Sequence, residues 1–272
     1  MLRCGRFTLP LERPLVMGVV NITPDSFSDG GRFLDPEAAV SHARQLAGEG
    51  ADILDLGGES TRPGAVPVSE QQELERLLPV LQRLQDLKIP VSVDTRRPAV
   101  MKAVLAAGAS MINDVQALNE PYALEAVAAT GCAVCLMHMK GQPATMQQEP
   151  RYDDVLREVK VFLKEVVRKA RFAGIGQDRI VVDPGFGFGK TAAHNMTLLR
   201  RLNELSDLPI VAGLSRKSTL GKLTGRPVQE RLAGSLALAL LALERGARIL
   251  RVHDVKETRD VIAVWQAYKN EP

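Results

Sequence analysis

DILDLGGESTRPG, residues Asp52 to Gly64, is the stretch from which the fold can be read outward. It begins as a short buried strand carrying Ile53, Leu54 and Leu56 and breaks at Gly57-Gly58. Two glycines let the backbone turn sharply and leave room for a ligand to approach. Behind them come Glu59, Ser60, Thr61, Arg62, Pro63 and Gly64, a loop whose hydroxyls and guanidinium suit a polar or anionic ligand. One strand exit of this kind is ordinary loop chemistry. The pattern gains meaning because it recurs along the chain.

Eight short apolar runs alternate with longer helical patterns. The runs are Leu15–Val20, Asp52–Leu56, Pro90–Val93, Ser110–Ile112, Cys132–Met137, Arg179–Val182, Pro209–Gly213 and Ile249–Val252. Helices are expected at 36–49, 70–86, 97–107, 121–130, 154–173, 194–205, 227–246 and 256–269. Start signals support several of them: Asp35-Pro36, Ser69 with Gln72 three residues on, and Arg97-Pro98. Glycines follow the ends at Gly50, Gly108, Gly131, Gly174 and Gly246. Strands separated by helices of this length pair in parallel through right-handed crossovers. Eight such units in 272 residues predict an α/β fold, a single (β/α)8 TIM barrel with its active site at the C-terminal ends of the strands. A doubly wound open sheet is the alternative. No linker, low-complexity tract or composition shift divides residues 1–272, so one domain is expected.

Composition excludes several function classes. Apolar residues make up 45% and charged residues 25%, the balance of a globular chain with a sizeable core. A net charge of +3 with no block of like charges gives no footprint for nucleic acid. The longest apolar run, Leu236 to Leu243, is too short to span a bilayer. Pro10, Glu12, Arg13 and Pro14 interrupt any signal-peptide pattern. Cys132 and Cys135 have CxxC spacing, yet a three-residue offset on a strand puts them on opposite faces, so they read as structural cysteines. A reducing, cytoplasmic compartment is expected.

In a barrel the chemistry gathers at the strand exits. These carry Asn21, then Asp55 with Thr61-Arg62, then Asp94, Asn113-Asp114, Met137-His138, Asp183, Ser215-Arg216-Lys217-Ser218, and Arg251 with His253. Asp94, Asn113 and Asp183 offer acceptors to a ligand with several N–H donors; a carboxylate meets an amino-pyrimidine edge with two parallel hydrogen bonds. Arg62, Lys217, Arg251 and His253 offer donors to an anion. The segment DPGFGFGKT, Asp183 to Thr191, fails as a P-loop because Pro184 stands where the pattern needs glycine. It fails as a dinucleotide fingerprint because the last glycine falls on Lys190. Its glycines instead suit close approach to a flat ligand, with Phe186 or Phe188 as an aromatic wall. No His/Cys cluster has zinc spacing and no GxSxG elbow is present.

Taken together, NITPDSFSDGG (Asn21–Gly31), DLGGESTRPG (Asp55–Gly64), SVDT (Ser92–Thr95), INDV (Ile112–Val115), CLMHM (Cys135–Met139), DPGFGFGK (Asp183–Lys190), GLSRKS (Gly213–Ser218) and RVHDV (Arg251–Val255) resemble the dihydropteroate synthase family. The resemblance runs in the family's order from about residue 15 to 260. It implies a pterin-binding TIM barrel, a transferase in folate biosynthesis. There 4-aminobenzoate displaces pyrophosphate from (7,8-dihydropterin-6-yl)methyl diphosphate to give 7,8-dihydropteroate. It further implies that Asp94, Asn113, Asp183 and Lys217 hold the pterin, and that Asn21, Arg62, Arg251 and His253 meet the diphosphate, with Mg²⁺ at Asn21. Thr61, Pro63, Phe188 and Ser218 match positions around the aminobenzoate, and the Lys217 stem is expected to run along that ring while its ammonium meets the pterin. A homodimer and competition by sulfonamides are implied as well. The alternatives are a corrinoid-dependent methyltransferase on the same style of barrel and a non-catalytic pterin binder. The long glycine-containing exits at 21–34 and 60–64 are expected to find their anchors in the diphosphate and Mg²⁺, so that aminobenzoate binds second.

Overall fold

The computed structural model describes residues 1–23, 36–60, 67–142 and 145–270. An antiparallel hairpin, β1 (Leu2–Cys4) and β2 (Phe7–Leu9), precedes eight strands: β3 (Leu15–Asn21), β4 (Ile53–Gly57), β5 (Val91–Asp94), β6 (Met111–Asp114), β7 (Ala133–Met137), β8 (Ile180–Asp183), β9 (Ile210–Ala212) and β10 (Ala247–Val252). These eight are all parallel and close into a barrel in chain order, with β10 pairing back onto β3 through Ile249↔Leu15. Closure leaves no sheet edges, which excludes the open doubly wound alternative.

Each expected apolar run forms a strand, with ends shifted by a residue or two. Around them lie α1 (Pro36–Gly48), α2 (Glu70–Arg83), α3 (Pro98–Ala106), α4 (Ala123–Ala128), α5 (Val155–Phe172), α6 (Ala192–Arg200), α7 (Ser218–Thr224), α8 (Leu232–Glu244) and α9 (Val255–Asn270). The Ser69–Gln72 pair forms the reciprocal cap that starts α2. Helix α6 starts two residues earlier than expected because Thr191 caps the His194 N–H at 3.1 Å and the His194 ring accepts in return from the Thr191 N–H. The region expected as one helix over 227–246 begins only at Leu232, and the separate α7 precedes it. Among the described residues no helix is long and apolar enough to cross a membrane.

Strand parity sorts the core into two shells. Alternate residues point outward and meet the helices, among them Val16, Val20, Leu54, Leu56, Val91, Val93, Ile112, Val134, Leu136, Val182 and Leu250. Those between point inward: Leu15, Met17, Ile53, Met111, Ala133, Cys135, Val181, Val211 and Ile249 pack in the barrel interior with Leu2 and Cys4 of the hairpin. The hairpin therefore plugs one end, and the inward positions further along each strand are left for chemistry. Cys132 faces the helical shell and Cys135 the interior, as the three-residue offset requires; both are free and buried. Asp52 belongs to the plugged end, where it accepts from Arg13 at 2.7 Å, Arg259 at 2.6 Å and the Val16 N–H at 2.8 Å.

Candidate active site

The same parity carries the inward row from apolar to polar residues at the open end. One step beyond Ile53 stands Asp55, beyond Met111 Asn113, beyond Val181 Asp183, beyond Val211 Gly213, and beyond Ile249 Arg251. β5 contributes Asp94 in register with Asn113. The barrel thus brings together six residues that lie up to 196 positions apart in the chain.

Their contacts are specific. Arg251 donates from Nε to Asp55 at 2.7 Å and from Nη2 to Asp94 at 2.9 Å. Asn113 donates from Nδ2 to the same Asp55 oxygen at 3.1 Å. Asp183 accepts the Gly185 N–H at 2.6 Å, which fixes the start of the glycine loop. Lys217, at the N-terminus of α7, donates to the Phe186 carbonyl and holds its ammonium 4.7 Å from the centre of the Phe188 ring. A Cβ placed on Gly213 would lie 3.6 Å from Lys217 Nζ, 3.7 Å from Asp183 Oδ2 and 3.9 Å from Arg251 Cβ, so this glycine marks the point where the three side chains converge.

The loop from Asp183 to Lys190 is held from below. Lys190 is 1% exposed, and its ammonium donates to the Gly185 and Phe188 carbonyls at 3.0 Å each and meets His138 Nδ1 at 2.9 Å. Gly185 and Gly189 have φ of +68° and +63°, and a side chain at either would collide with the His138 or Lys140 carbonyl. Asn195 accepts the Gly187 N–H at 2.9 Å and donates to Thr219 at 2.9 Å, tying the loop to α6 and α7. The glycines therefore serve close packing of the loop on the exit of β7, as well as leaving a flat wall with Phe188 half-buried at its edge. Phe186, the other candidate for that wall, is fully buried in the helical shell.

Burial sets the electrostatics. It pushes the Asp94 carboxyl up to about 7; Arg251 opposes the rise, while Asp55, Asp114 and Glu73 add to it. Burial also raises Asp183, against Lys217, the Gly185 N–H and Arg251. Burial lowers the Lys217 ammonium to about 8 despite the pull of Asp183. For Arg251, burial disfavours the charge, but Asp55 and Asp94 outweigh it and hold the guanidinium above its ordinary range. His138, stripped of water and facing Lys190, is pushed down to about 3 and stays neutral.

The remaining expected residues are distributed as follows. His253 follows β10, its ring against Ser215 Oγ at 3.0 Å. Ser218 is exposed as the first residue of α7. Asn21 ends β3, half-buried beside Gly57. Thr61, Arg62 and Pro63 lie outside the described residues, as do 24–35 of the first long exit. Two polar exit residues turn away from the mouth: Asp114 accepts the Gln116 and Leu118 N–H groups, and Arg216 pairs with Asp254. The central place of Asp55, the convergence on Gly213 and the cage of Lys190 were missed from sequence. The signals for the first two were present: both fall at inward parity at a strand end.

Residues 17–253 match the family described as pterin binding enzyme. A dihydropteroate synthase of Escherichia coli (strain K12) is 49% identical over 263 residues, covering 96% of this chain and 93% of that protein. A Yersinia pestis dihydropteroate synthase in complex with a sulfonamide drug superposes with a TM-score of 0.94 at 48% identity over 99% of both chains. A Burkholderia cenocepacia dihydropteroate synthase complexed with 7,8-dihydropteroate gives a TM-score of 0.90 at 47% identity over 98% of this chain and 96% of that one. The chain belongs to the pterin-binding enzymes and, within them, to the dihydropteroate synthase family.

Proposed function

We propose that this chain condenses (7,8-dihydropterin-6-yl)methyl diphosphate with 4-aminobenzoate to give 7,8-dihydropteroate and pyrophosphate, and that the open end of the barrel is where it does so. The observation that carries the reading is the convergence of Asp183, Lys217 and Arg251 on Gly213, with Asp94 bonded to Arg251 and Asn113 joined to it through Asp55. The acidic and amide oxygens suit the ring N–H groups of a pterin, and the two cations suit its carbonyl oxygen and the diphosphate. Lys217 has its stem beside Gly187 and its head between Asp183 and Phe188, a placement that lets the head meet the pterin and the stem line the aminobenzoate pocket. Phe188 and Ser218 stand at that pocket, and the family resemblance assigns Thr61 and Pro63, which lie outside the described residues, to the same ligand.

The chemistry asks little of a general base. An aromatic amine is nucleophilic while neutral, and the dihydropterin ring stabilises positive charge on its exocyclic methylene. The residues' work is to neutralise the departing pyrophosphate, through Arg62, Arg251 and His253, and to keep the cationic intermediate away from water. Among the described residues no group of three His, Cys, Asp or Glu side chains is placed to hold a metal ion. Asn21 offers a single hard oxygen beside Gly57, where an added Cβ would lie 3.8 Å from Asn21 Oδ1. That fits Mg²⁺, which takes few protein ligands and fills its octahedron with phosphate oxygens and water. When bound, the ion offsets charge on the leaving diphosphate.

A cytoplasmic homodimer completes the proposal. Three buried free cysteines suit a reducing compartment. Leu240 and Leu241 on α8 and Val264 and Tyr268 on α9 are 40%, 49%, 70% and 75% exposed, an apolar face suited to a second copy of the chain. The function is tested by supplying both substrates and measuring pyrophosphate. Release that requires both supports the reading. Release absent under all conditions, or methyl transfer from methyltetrahydrofolate to cobalamin, contradicts it.

A further inference from the structure

Asp55 stands behind the residues that face the open barrel. It is wholly buried, so an entering ligand does not reach it. One carboxylate oxygen, Oδ2, takes two donors: Asn113 Nδ2 at 3.1 Å and Arg251 Nε at 2.7 Å. The other, Oδ1, is buried with no hydrogen-bond partner among the described residues.

We infer that Asp55 is a positioning residue for pterin recognition, fixing which way the Asn113 amide faces and how the Arg251 guanidinium lies, without touching the ligand itself. The inference rests on the proposed roles of Asn113 and Arg251.

Donor and acceptor count fixes the way the Asn113 amide faces. An asparagine side chain has a carbonyl and an NH₂ end of nearly equal size, and only its partners decide between them. An ionised carboxylate accepts and does not donate, so facing Asp55 the amide must present its NH₂. Its carbonyl oxygen is then turned away from Asp55 and offered as an acceptor. Geometry fixes the lie of Arg251. Asp55 on β4 holds Nε and Asp94 on the neighbouring β5 holds Nη2, at 2.7 and 2.9 Å. Two carboxylates gripping two edges of a planar group fix its plane, leaving Nη1 outside both pairs. The cost is visible in the same residue. A buried carboxylate oxygen with nothing to accept is unfavourable, and replacing the buried Asp55–Arg251 pair as a whole by well-packed apolar residues is often no worse for folding alone. Such an arrangement is accounted for by what it positions.

The test is a double-mutant cycle in the full chain. Asp55→Asn keeps the shape but removes the charge and the obligation on Asn113 to face one way. Binding of dihydropterin diphosphate is read by calorimetry, the KM of each substrate and kcat by steady-state assay, and the fold by thermal unfolding. Asp55→Asn is expected to weaken pterin binding about 10- to 150-fold, the range for a charged hydrogen bond and its orienting effect. The pterin KM should rise by a similar factor, and kcat should fall as well, because the Arg251 that Asp55 holds also serves the departing pyrophosphate. Asn113→Ala should also weaken pterin binding, and the double variant should be no more than about threefold worse than Asp55→Asn alone, because one residue acts through the other. If Asp55→Asn does not fold, Asp55→Ser leaves room for a water and carries the same expectation. Wild-type pterin affinity in the Asp55 variant, or fully additive losses in the double variant, would overturn the positioning role while leaving Asn113 in place. Wild-type affinity in Asn113→Ala would overturn the proposed role of Asn113 and this inference with it.

Discussion

Replacing Gly213 by alanine isolates ligand space from fold. Gly213 sits at inward parity after β9, and its backbone does not lie in the left-handed region that would exclude a side chain. The added methyl would meet Lys217 Nζ, Asp183 Oδ2 and Arg251 Cβ at 3.6, 3.7 and 3.9 Å, all ordinary van der Waals separations. Nothing in the protein therefore has to move. A glycine-to-alanine change at a compatible site stabilises by ~0.4–1 kcal/mol through the unfolded chain. For a chain of this size the melting temperature should stay level or rise by about 1–4 °C. The same methyl stands where a flat ring must pass to reach Asp183 and Lys217. Losing one charge-assisted hydrogen bond to that ring costs ~1.5–3 kcal/mol, or about 10- to 150-fold in affinity. Thermal unfolding and calorimetric titration with dihydropterin diphosphate read the two effects separately. A variant that melts like the wild type and binds the pterin equally well would refute the placement of the ring across Gly213.

Other perturbations follow from the same geometry. Asp183→Asn puts a donor-bearing amide where ring N–H groups point, and pterin binding should weaken by ~2–4 kcal/mol; a calorimetric Kd within about threefold of wild type would contradict it. Lys217→Met keeps much of the stem beside Gly187 and removes the charge, so steady-state kinetics should show the pterin KM suffering before the aminobenzoate KM. With Asp94 raised to about 7 and Lys217 lowered to about 8, kcat/KM for the pterin substrate should climb as Asp94 ionises and fall as Lys217 loses its proton, and Asp94→Asn should abolish the acid limb. The same shift predicts a stability trend. Asp94 keeps its proton in the fold above the ordinary value of 3.8, so its contribution to stability, read by denaturant titration, is greatest at acid pH and declines as pH rises through about 7. Aminobenzoate should bind by calorimetry about five- to 150-fold more tightly once pterin, pyrophosphate and Mg²⁺ are present.

The barrel was legible because its signal is repeated. Each of eight apolar runs is weak alone, yet their alternation with helices leaves few topologies, and the structure selects the closed one. The hairpin Leu2–Leu9 was not legible because three-residue strands carry no measurable period. Helix α7 was hidden for a different reason: Ser218 begins it without a side-chain cap, directly after residues that read as a binding loop. In the site, the strand-exit rule found Asp94, Asn113, Asp183 and Arg251 but did not separate inward from outward polar residues. Asp114 and Asn113 are adjacent, and only the pleat decides that one faces the barrel and the other caps a turn. In the sequence Lys190 only spoils a nucleotide motif and closes the DPGFGFGK run. Its cage of carbonyls depends on a backbone path through left-handed glycines that sequence spacing does not reveal.

The central claim is that the open end of this barrel holds a pterin between Asp94, Asn113 and Asp183 with Lys217 beside it. A crystal of the protein soaked with dihydropterin diphosphate tests it most directly. Ring N–H groups are expected within hydrogen-bond distance of the Asp183 and Asp94 carboxylates, with the Asn113 carbonyl oxygen turned toward the ring and the ring edge lying against Gly213. A pterin found elsewhere on the barrel, or one that binds with these side chains untouched, would contradict it.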